Sequence, residues 1–192
     1  MNSSKFQDKL LLIQLKKKDP EAFARVYDVY VTPIYRFIYF KVSSQQDAED
    51  LTSEVFLKVW QYITETEEEI ENLRALLYRS ARNLVIDFYR RSAKKDIAQD
   101  VEVLANIPDE NQQRLLIEVE TKLDMHKIEA ALRQMKDEYR EVIILRYVDE
   151  LSIGEIADIL HKSKGSIRVL LHRALKIAKE ILHNEKSDSG RI

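Results

Sequence analysis

The sequence predicts an all-α protein: two small helical domains joined by an acidic linker, the second containing a helix-turn-helix. Three observations carry this. The 192 residues include only three Gly and three Pro among long runs of helix-forming side chains, a balance that disfavours turn-rich sheet. Apolar residues recur at spacings of three and four along most of the chain, the period of an amphipathic helix. That order lapses over residues 93–124, where eight acids face two bases between Asp96 and Asp124 and Pro108 prevents one continuous helix. The expected division is therefore a first domain at 1–92, a linker at 93–124, a second domain at 125–183 and a disordered tail at 184–192.

Composition bounds the function. A hydrophobic share of 45% suffices for folded cores, and a net charge of -2 makes no case for nucleic acid by itself, so the distribution of charge has to. The absence of cysteine excludes disulfides and cysteine-ligated zinc and fits a reducing compartment. With no membrane-length apolar run and no signal-peptide pattern at the amino terminus, the expectation is a cytoplasmic protein without membrane insertion.

In the first domain, Phe6, Leu10, Leu11 and Ile13 suggest a short helix that ends in Lys16, Lys17 and Lys18, cations suited to a helix carboxyl end. Asp19 followed by Pro20 starts a second helix with Phe23, Val26, Tyr27 and Tyr30 inward. Thr32 and Pro33 repeat that signal, so a third helix is expected, with Ile34, Phe37, Ile38 and Val42 inward. The next begins near Ser44 and buries Ala48, Leu51, Val55, Val59 and Tyr62. Its other side carries Asp47, Asp50, Glu54, Lys58 and Gln61. Carboxylates so clustered can ligate a metal or move protons, but acids in the first turns of a helix also follow from the macrodipole, and no His stands at ligand spacing. A docking face for a basic partner is the third reading.

Glu65 to Glu71 form an acidic segment without an apolar stripe, a loop or frayed helix end. The following helix, Leu73 to about Arg91, turns Leu73, Leu77, Ala81, Leu84 and Phe88 inward and groups Arg79, Asn83 and Arg90 outward, flanked by Arg82 and Tyr89. From Asn72 to Lys95 seven bases stand against Asp87 alone. Arginine interleaved with tyrosine suits a phosphate backbone with unstacked bases; a charged surface with Asp87 and Arg91 paired at i, i+4 is the plainer alternative.

In the second domain, Ile128, Leu132 and Met135 form one stripe, and Tyr139, Val142, Ile143, Arg146 and Tyr147 continue it after a break near Lys136. Ser152 with Glu155 is a capping box, His161 and Lys162 make a turn, and Ser163 caps a final helix. That helix buries Ile167, Leu171, Ala174, Ala178 and Ile181 and presents Arg168, Val169, His172, Arg173 and Lys176; between Lys162 and Lys179 lie six bases and no acid. The pattern fits a helix-turn-helix with its second helix in a major groove, and equally a helical hairpin with a solvated basic face. The four histidines are scattered, and no glycine-rich phosphate loop or Ser/His/Asp arrangement appears.

Three stretches together resemble the bacterial extracytoplasmic-function family of sigma factors: DAEDLTSEVFLKVW from Asp47 to Trp60, RSARNLVIDFYRR from Arg79 to Arg91, and YREVIILRY, LSIGEIA and GSIRVLLHRA from Tyr139, Leu151 and Gly165. The resemblance implies a promoter-specificity subunit without catalysis or cofactor. Asp47, Asp50, Ser53, Glu54 and Lys58 would dock on the clamp helices of the largest subunit of core RNA polymerase. Arg79, Arg82, Asn83, Tyr89, Arg90 and Arg91 would melt and hold the single-stranded minus-ten element. Lys164, Ser166, Arg168, Val169, His172, Arg173 and Lys176 would read the double-stranded minus-thirty-five element. An anti-sigma factor is a further partner the family implies. The sequence departs from the pattern at Ser53, Leu76 and Lys136, at Val169 and Leu170 where polar residues are usual, and in the glutamate-rich segment where the base-capturing loop should be. Two other classes stay open: a stand-alone helix-turn-helix regulator, and an enzyme built on Asp47, Asp50 and Glu54.

Val169 lies mid-face on the final helix, where an apolar side chain cannot hydrogen-bond a base but can contact a thymine methyl. A thymine preference is expected at the base it meets, with Arg168 and Arg173 on phosphate or guanine. Selection from a randomised minus-thirty-five library by Val169→Ser should lose that preference, and an unchanged selected sequence refutes it.

Overall fold

The computed structural model describes the backbone of residues 3–42, 44–96 and 130–188. Its elements are α1 (Ser3–Lys16), α2 (Pro20–Tyr39), α3 (Gln45–Glu65), α4 (Leu73–Asp96), α5 (Asp137–Ile143), a π-helical turn (Ile144–Val148), α6 (Ile153–Leu160) and α7 (Lys164–Asp188). Residues 130–134 are also helical, and no strand occurs among the described residues. Most of the acidic linker lies outside them.

The first domain is built around α4. Its stripe Leu73, Leu77, Ala81 and Leu84 is buried, and α2 and α3 pack on it through Ile34, Phe37, Ile38, Leu51, Val55 and Val59. Phe37 and Tyr78 meet edge to face at 5.4 Å. Both α2 and α3 begin as expected: Asp19 accepts the Glu21 amide with Pro20 at the first position, and Ser44 accepts the Asp47 amide.

One boundary differs. Residues 20–39 form a single helix with Pro33 inside it, so the expected third helix is the second half of α2. A mid-helix proline deprives the carbonyl four residues back, that of Val29, of its partner. Val29 is exposed, so water can satisfy that carbonyl. Meanwhile Val26, Tyr30, Ile34, Phe37 and Ile38 keep one unbroken buried register across the proline, and burying that stripe outweighs the lost bond.

Several side chains face elsewhere than expected. In α1, among the side chains described, Leu12 and Leu15 are buried, whereas Leu10 and Ile13 are half exposed. Tyr27 and Tyr62 are exposed; Ile63 takes the last buried position of α3, and the Tyr62 hydroxyl donates to Glu68 at 3.0 Å. In each case the residue one position along lies nearer the centre of the apolar stripe, and tyrosine tolerates the rim because its hydroxyl needs a polar partner. Asp87 pairs with Arg90 at 3.7 Å, while Arg91 Nε donates to the Asp87 backbone carbonyl at 3.4 Å.

The second domain packs α5 and α6 on α7. The π-helical turn shifts the buried face: Ile144 and Leu145 are buried and Tyr147 is turned outward, contrary to the expected continuation through Arg146 and Tyr147. A π turn holds an extra residue, which rotates everything after it relative to a 3.6-residue projection. Two arginines secure the loops around this turn. Arg140 donates to the carbonyls of Leu132, Arg133 and Met135, and Arg146 to that of Leu151. Helix α7 continues into the stretch expected to be a tail, and α4 runs to Asp96; neither extension contains Gly or Pro.

Replacing Pro33 with Ala restores an amide donor without changing the buried stripe. Pro33→Ala is expected to stabilise the protein by about 1 to 3 kcal/mol. Urea unfolding monitored by circular dichroism reads this out, and an unchanged or lowered midpoint would contradict it.

Candidate functional site

Each of the three candidate surfaces depends on local folding. On α7, Ser163 Oγ accepts the Ser166 amide at 3.1 Å, fixing the helix start. The capping box of α6 is complete: Glu155 accepts the Ser152 amide at 2.9 Å and Ser152 accepts the Glu155 amide at 3.3 Å. His161 ends α6 in the left-handed conformation (φ 52°, ψ 44°). With Ile167, Leu171 and Ala174 buried, Lys164, Ser166, Arg168, Val169, His172, Arg173 and Lys176 are all exposed on one surface. That presentation is the one a groove-reading helix requires.

On α3, Asp50, Ser53 and Lys58 are exposed, Glu54 is half-buried and ion-paired with Lys58 at 2.9 Å, and Asp47 sits in the capped first turn. Leu57, 57% exposed, stands in the middle of this polar stripe. Sequence projection missed it; the signal was its place four residues after Ser53, on the polar side of the helix. Among the described residues no group of three or more His, Cys, Asp or Glu is placed to hold a metal ion, so the acids of α3 do not converge.

On α4 the candidates divide. Asn83, Tyr89, Arg90 and Arg91 are exposed, and Arg79 is half-buried, with its Nε donating to the Ala75 carbonyl at 3.2 Å. Arg90 and Arg91 line, with Lys58 and Asp87, a cleft of about 360 Å³ between α3 and α4. Arg79 lines another of about 570 Å³ with the glutamate-rich segment and with Asp158 and His161 of the second domain. Arg82 is different. Its Nε donates to both carboxylate oxygens of Glu141, each at 3.2 Å, across the domain boundary.

Among the described residues Arg82 is one of four cations held in this way. Lys41, its side chain 1% exposed, reaches Glu141 at 2.9 Å and Asp137 at 3.1 Å. Arg36 meets Asp149 at 3.1 Å, and Arg74 meets Glu155 at 2.9 Å. The domains are therefore packed together, and a single cluster of buried apolar side chains runs through both. Asp149 is a strongly perturbed acid. Desolvation pushes its carboxyl up to about 6, against the opposing pull of the Tyr78 hydroxyl, Arg36 and Arg74. Its Oδ2 is buried and makes no hydrogen bond among the described residues. Burial, together with the charge of Asp149, raises the Tyr78 phenol in turn.

The chain is similar to known proteins over both domains. A model of sigma-70 region 2 matches residues 26–95, and a model of sigma-70 region 4 matches residues 125–177. The ECF RNA polymerase sigma factor SigW of Bacillus subtilis is 30% identical over 179 residues, 89% of this chain and 94% of SigW. The ECF RNA polymerase sigma factor BldN of Streptomyces coelicolor is 31% identical over 168 residues, 87% of this chain but 62% of BldN. Among solved structures, CnrH in complex with the cytosolic domain of CnrY shares the fold with a TM-score of 0.70 at 18% identity, covering 93% of this chain and 98% of CnrH.

The raised carboxyl of Asp149 makes stability depend on pH. In the unfolded chain this group titrates near the ordinary aspartate value of about 3.9. Its contribution is full below that value and is lost as pH rises through about 6, a change of up to about 3 kcal/mol. Asp149→Asn should remove that slope. Urea unfolding at pH 5 and pH 7.5 should show wild type losing more stability between the two than the variant; equal losses would refute the assignment.

Proposed function

Because the chain belongs to the extracytoplasmic-function family of RNA polymerase sigma factors, we propose that its two domains divide promoter recognition between a melted strand and a duplex. As such a factor it directs promoter-specific transcription initiation. Residues 1–92 act as the region 2-like domain, 93–124 as the connecting linker and 125–183 as the region 4-like domain. The observation that carries this is the presence of two basic helix faces on separate domains, outer α4 and α7, with Arg90 and Arg91 on the one and Arg168 and Arg173 on the other open to solvent.

Residues Arg168, His172, Arg173 and Lys176, with Lys164 and Ser166 near the helix start, contact the minus-thirty-five duplex, and Val169 contacts a base methyl. Arg79, Arg82, Arg90 and Arg91 hold phosphates of the minus-ten strand. Tyr89 offers a stacking face, and Asn83 makes the polar contact to an extruded base. Asp47, Asp50, Ser53, Glu54 and Lys58 dock on the clamp helices of core polymerase, with Leu57 as the apolar centre such a patch needs. The chain works in the cytoplasm and performs no catalysis of its own. Among the described residues no helix is long and apolar enough to cross a membrane. An anti-sigma factor is a further partner, a reading supported by a structural neighbour, the sigma factor RpoE of Bartonella quintana, which was solved in complex with the anti-sigma factor NepR. A stand-alone regulator would have no use for the polar stripe of α3.

Purified core polymerase with this protein should give promoter-dependent run-off transcription, and specific duplex binding by the chain alone would count against the proposal. Within that assay, Arg79→Ala or Arg90→Ala should weaken binding to many melted sequences, each lowering the salt slope by about 0.7. Asn83→Ala should instead relax preference at one base, by about 1 to 3 kcal/mol. An equal loss on every sequence for all three would contradict the division of roles.

A further inference from the structure

The contact between the domains follows a register. Along α4, Arg74, Tyr78 and Arg82 succeed one another at i, i+4 and i+8, so they lie on one face and span about 12 Å. Opposite them the second domain places Glu155, Asp149 and Glu141 in reverse sequence order: Glu155 on Arg74, Asp149 beside Tyr78, and Glu141 on Arg82. Helix α2 and the turn after it supply the flanking cations, Arg36 to Asp149 and Lys41 to Glu141 and Asp137. Four cations of the first domain thus meet four carboxylates of the second. None of the α7 residues offered to duplex DNA takes part.

Two physical points bear on what this strip is for. Its cations are held by oxygen anions spaced along a line, and a phosphate backbone presents anions in the same manner. Ion pairs across a boundary hold domains weakly, because desolvation offsets most of their attraction. The strip also adjoins aromatic rings: the Tyr89 hydroxyl donates to the Lys41 carbonyl at 2.6 Å, and Phe88 lies against Tyr89 with ring centroids 5.4 Å apart. Cations beside exposed aromatic faces suit single-stranded nucleic acid.

We propose that Arg36, Lys41, Arg74 and Arg82 form a binding strip for the phosphates of single-stranded DNA, and that Glu141, Asp149 and Glu155 occupy it as an internal competitor until the domains separate. This rests on the reading of the first domain as the single-strand binder and extends its surface beyond the outer face of α4. Binding and opening are then linked: DNA that takes the strip drives the domains apart, and loss of the acids tightens DNA binding by the same factor.

The test uses the full chain. Since it contains no cysteine, Asp28→Cys and Glu180→Cys, both on exposed positions of different domains, accept a fluorophore pair that reports separation by energy transfer. Titrating a labelled single-stranded minus-ten oligonucleotide into this otherwise wild-type protein should lower the transfer; saturating DNA with unchanged transfer overturns the proposal without any variant that must fold. The pair Glu141→Gln with Asp149→Asn should lower the transfer without DNA and tighten oligonucleotide binding about tenfold. Adding Lys41→Gln and Arg36→Gln to that background should reverse the gain and flatten the salt dependence. Opening without tighter binding, or tighter binding that survives loss of Lys41 and Arg36, refutes the strip. Run-off transcription by the unlabelled wild type is scored alongside, so a protein active on promoters but failing these tests loses this inference and keeps its function.

Discussion

The ammonium of Lys41 and the carboxylate of Glu141 lie 2.9 Å apart with side chains 1% and 4% exposed, and neither charge can be buried without the other. Removing one leaves the other with a single remaining partner, Asp137 for Lys41 or Arg82 for Glu141, and breaking a buried pair in this way typically costs about 3 to 5 kcal/mol. This mutual requirement sets the position of α5 against the turn after α2, and with it the relation between the domains. Arg82 completes the arrangement by giving Glu141 a second cation. The pair adds little net attraction, because most of its Coulomb energy is offset by desolvation. Its effect is to fix an alignment.

Helix α4 serves three purposes because three of its faces have different chemistry. Leu73, Leu77, Ala81 and Leu84 close the first core; Arg74, Tyr78 and Arg82 face the second domain; Asn83, Arg90 and Arg91 face solvent. A helix can do this because its 3.6-residue period sends each set to its own direction. Glu155 is shared in a similar way, one oxygen capping α6 through Ser152 and the other meeting Arg74 at 2.9 Å. The start of the helix-turn-helix is therefore tied to the first domain while the basic face of α7 stays open.

Much of the candidate site was legible. The exposed face of α7 follows from periodicity alone, since Ile167, Leu171 and Ala174 must be buried and their neighbours are then turned outward. Caps were readable too, because Ser44, Ser152 and Ser163 bond amides within three residues of themselves. What was missed required more than one turn of context. Pro33 looked like a helix start because its stop signal is local, whereas the stripe that carries α2 through it is sustained by α3 and α4. Tyr147 was misplaced because nothing in Ile144 to Val148 announces a π turn.

The sequence by itself determined the helical class and which side chains the exposed helix faces present, because helix faces, caps and charge runs are set by neighbours within a few positions. Only the tertiary structure decided that the domains lie together, that Arg82 faces Glu141 rather than solvent, and that Lys41 and Asp149 are buried. Those pairings join residues separated by 59 to 113 positions. Each charged side chain would be soluble alone, so no local pattern distinguishes the one that stays in water from the one that finds a partner across the fold.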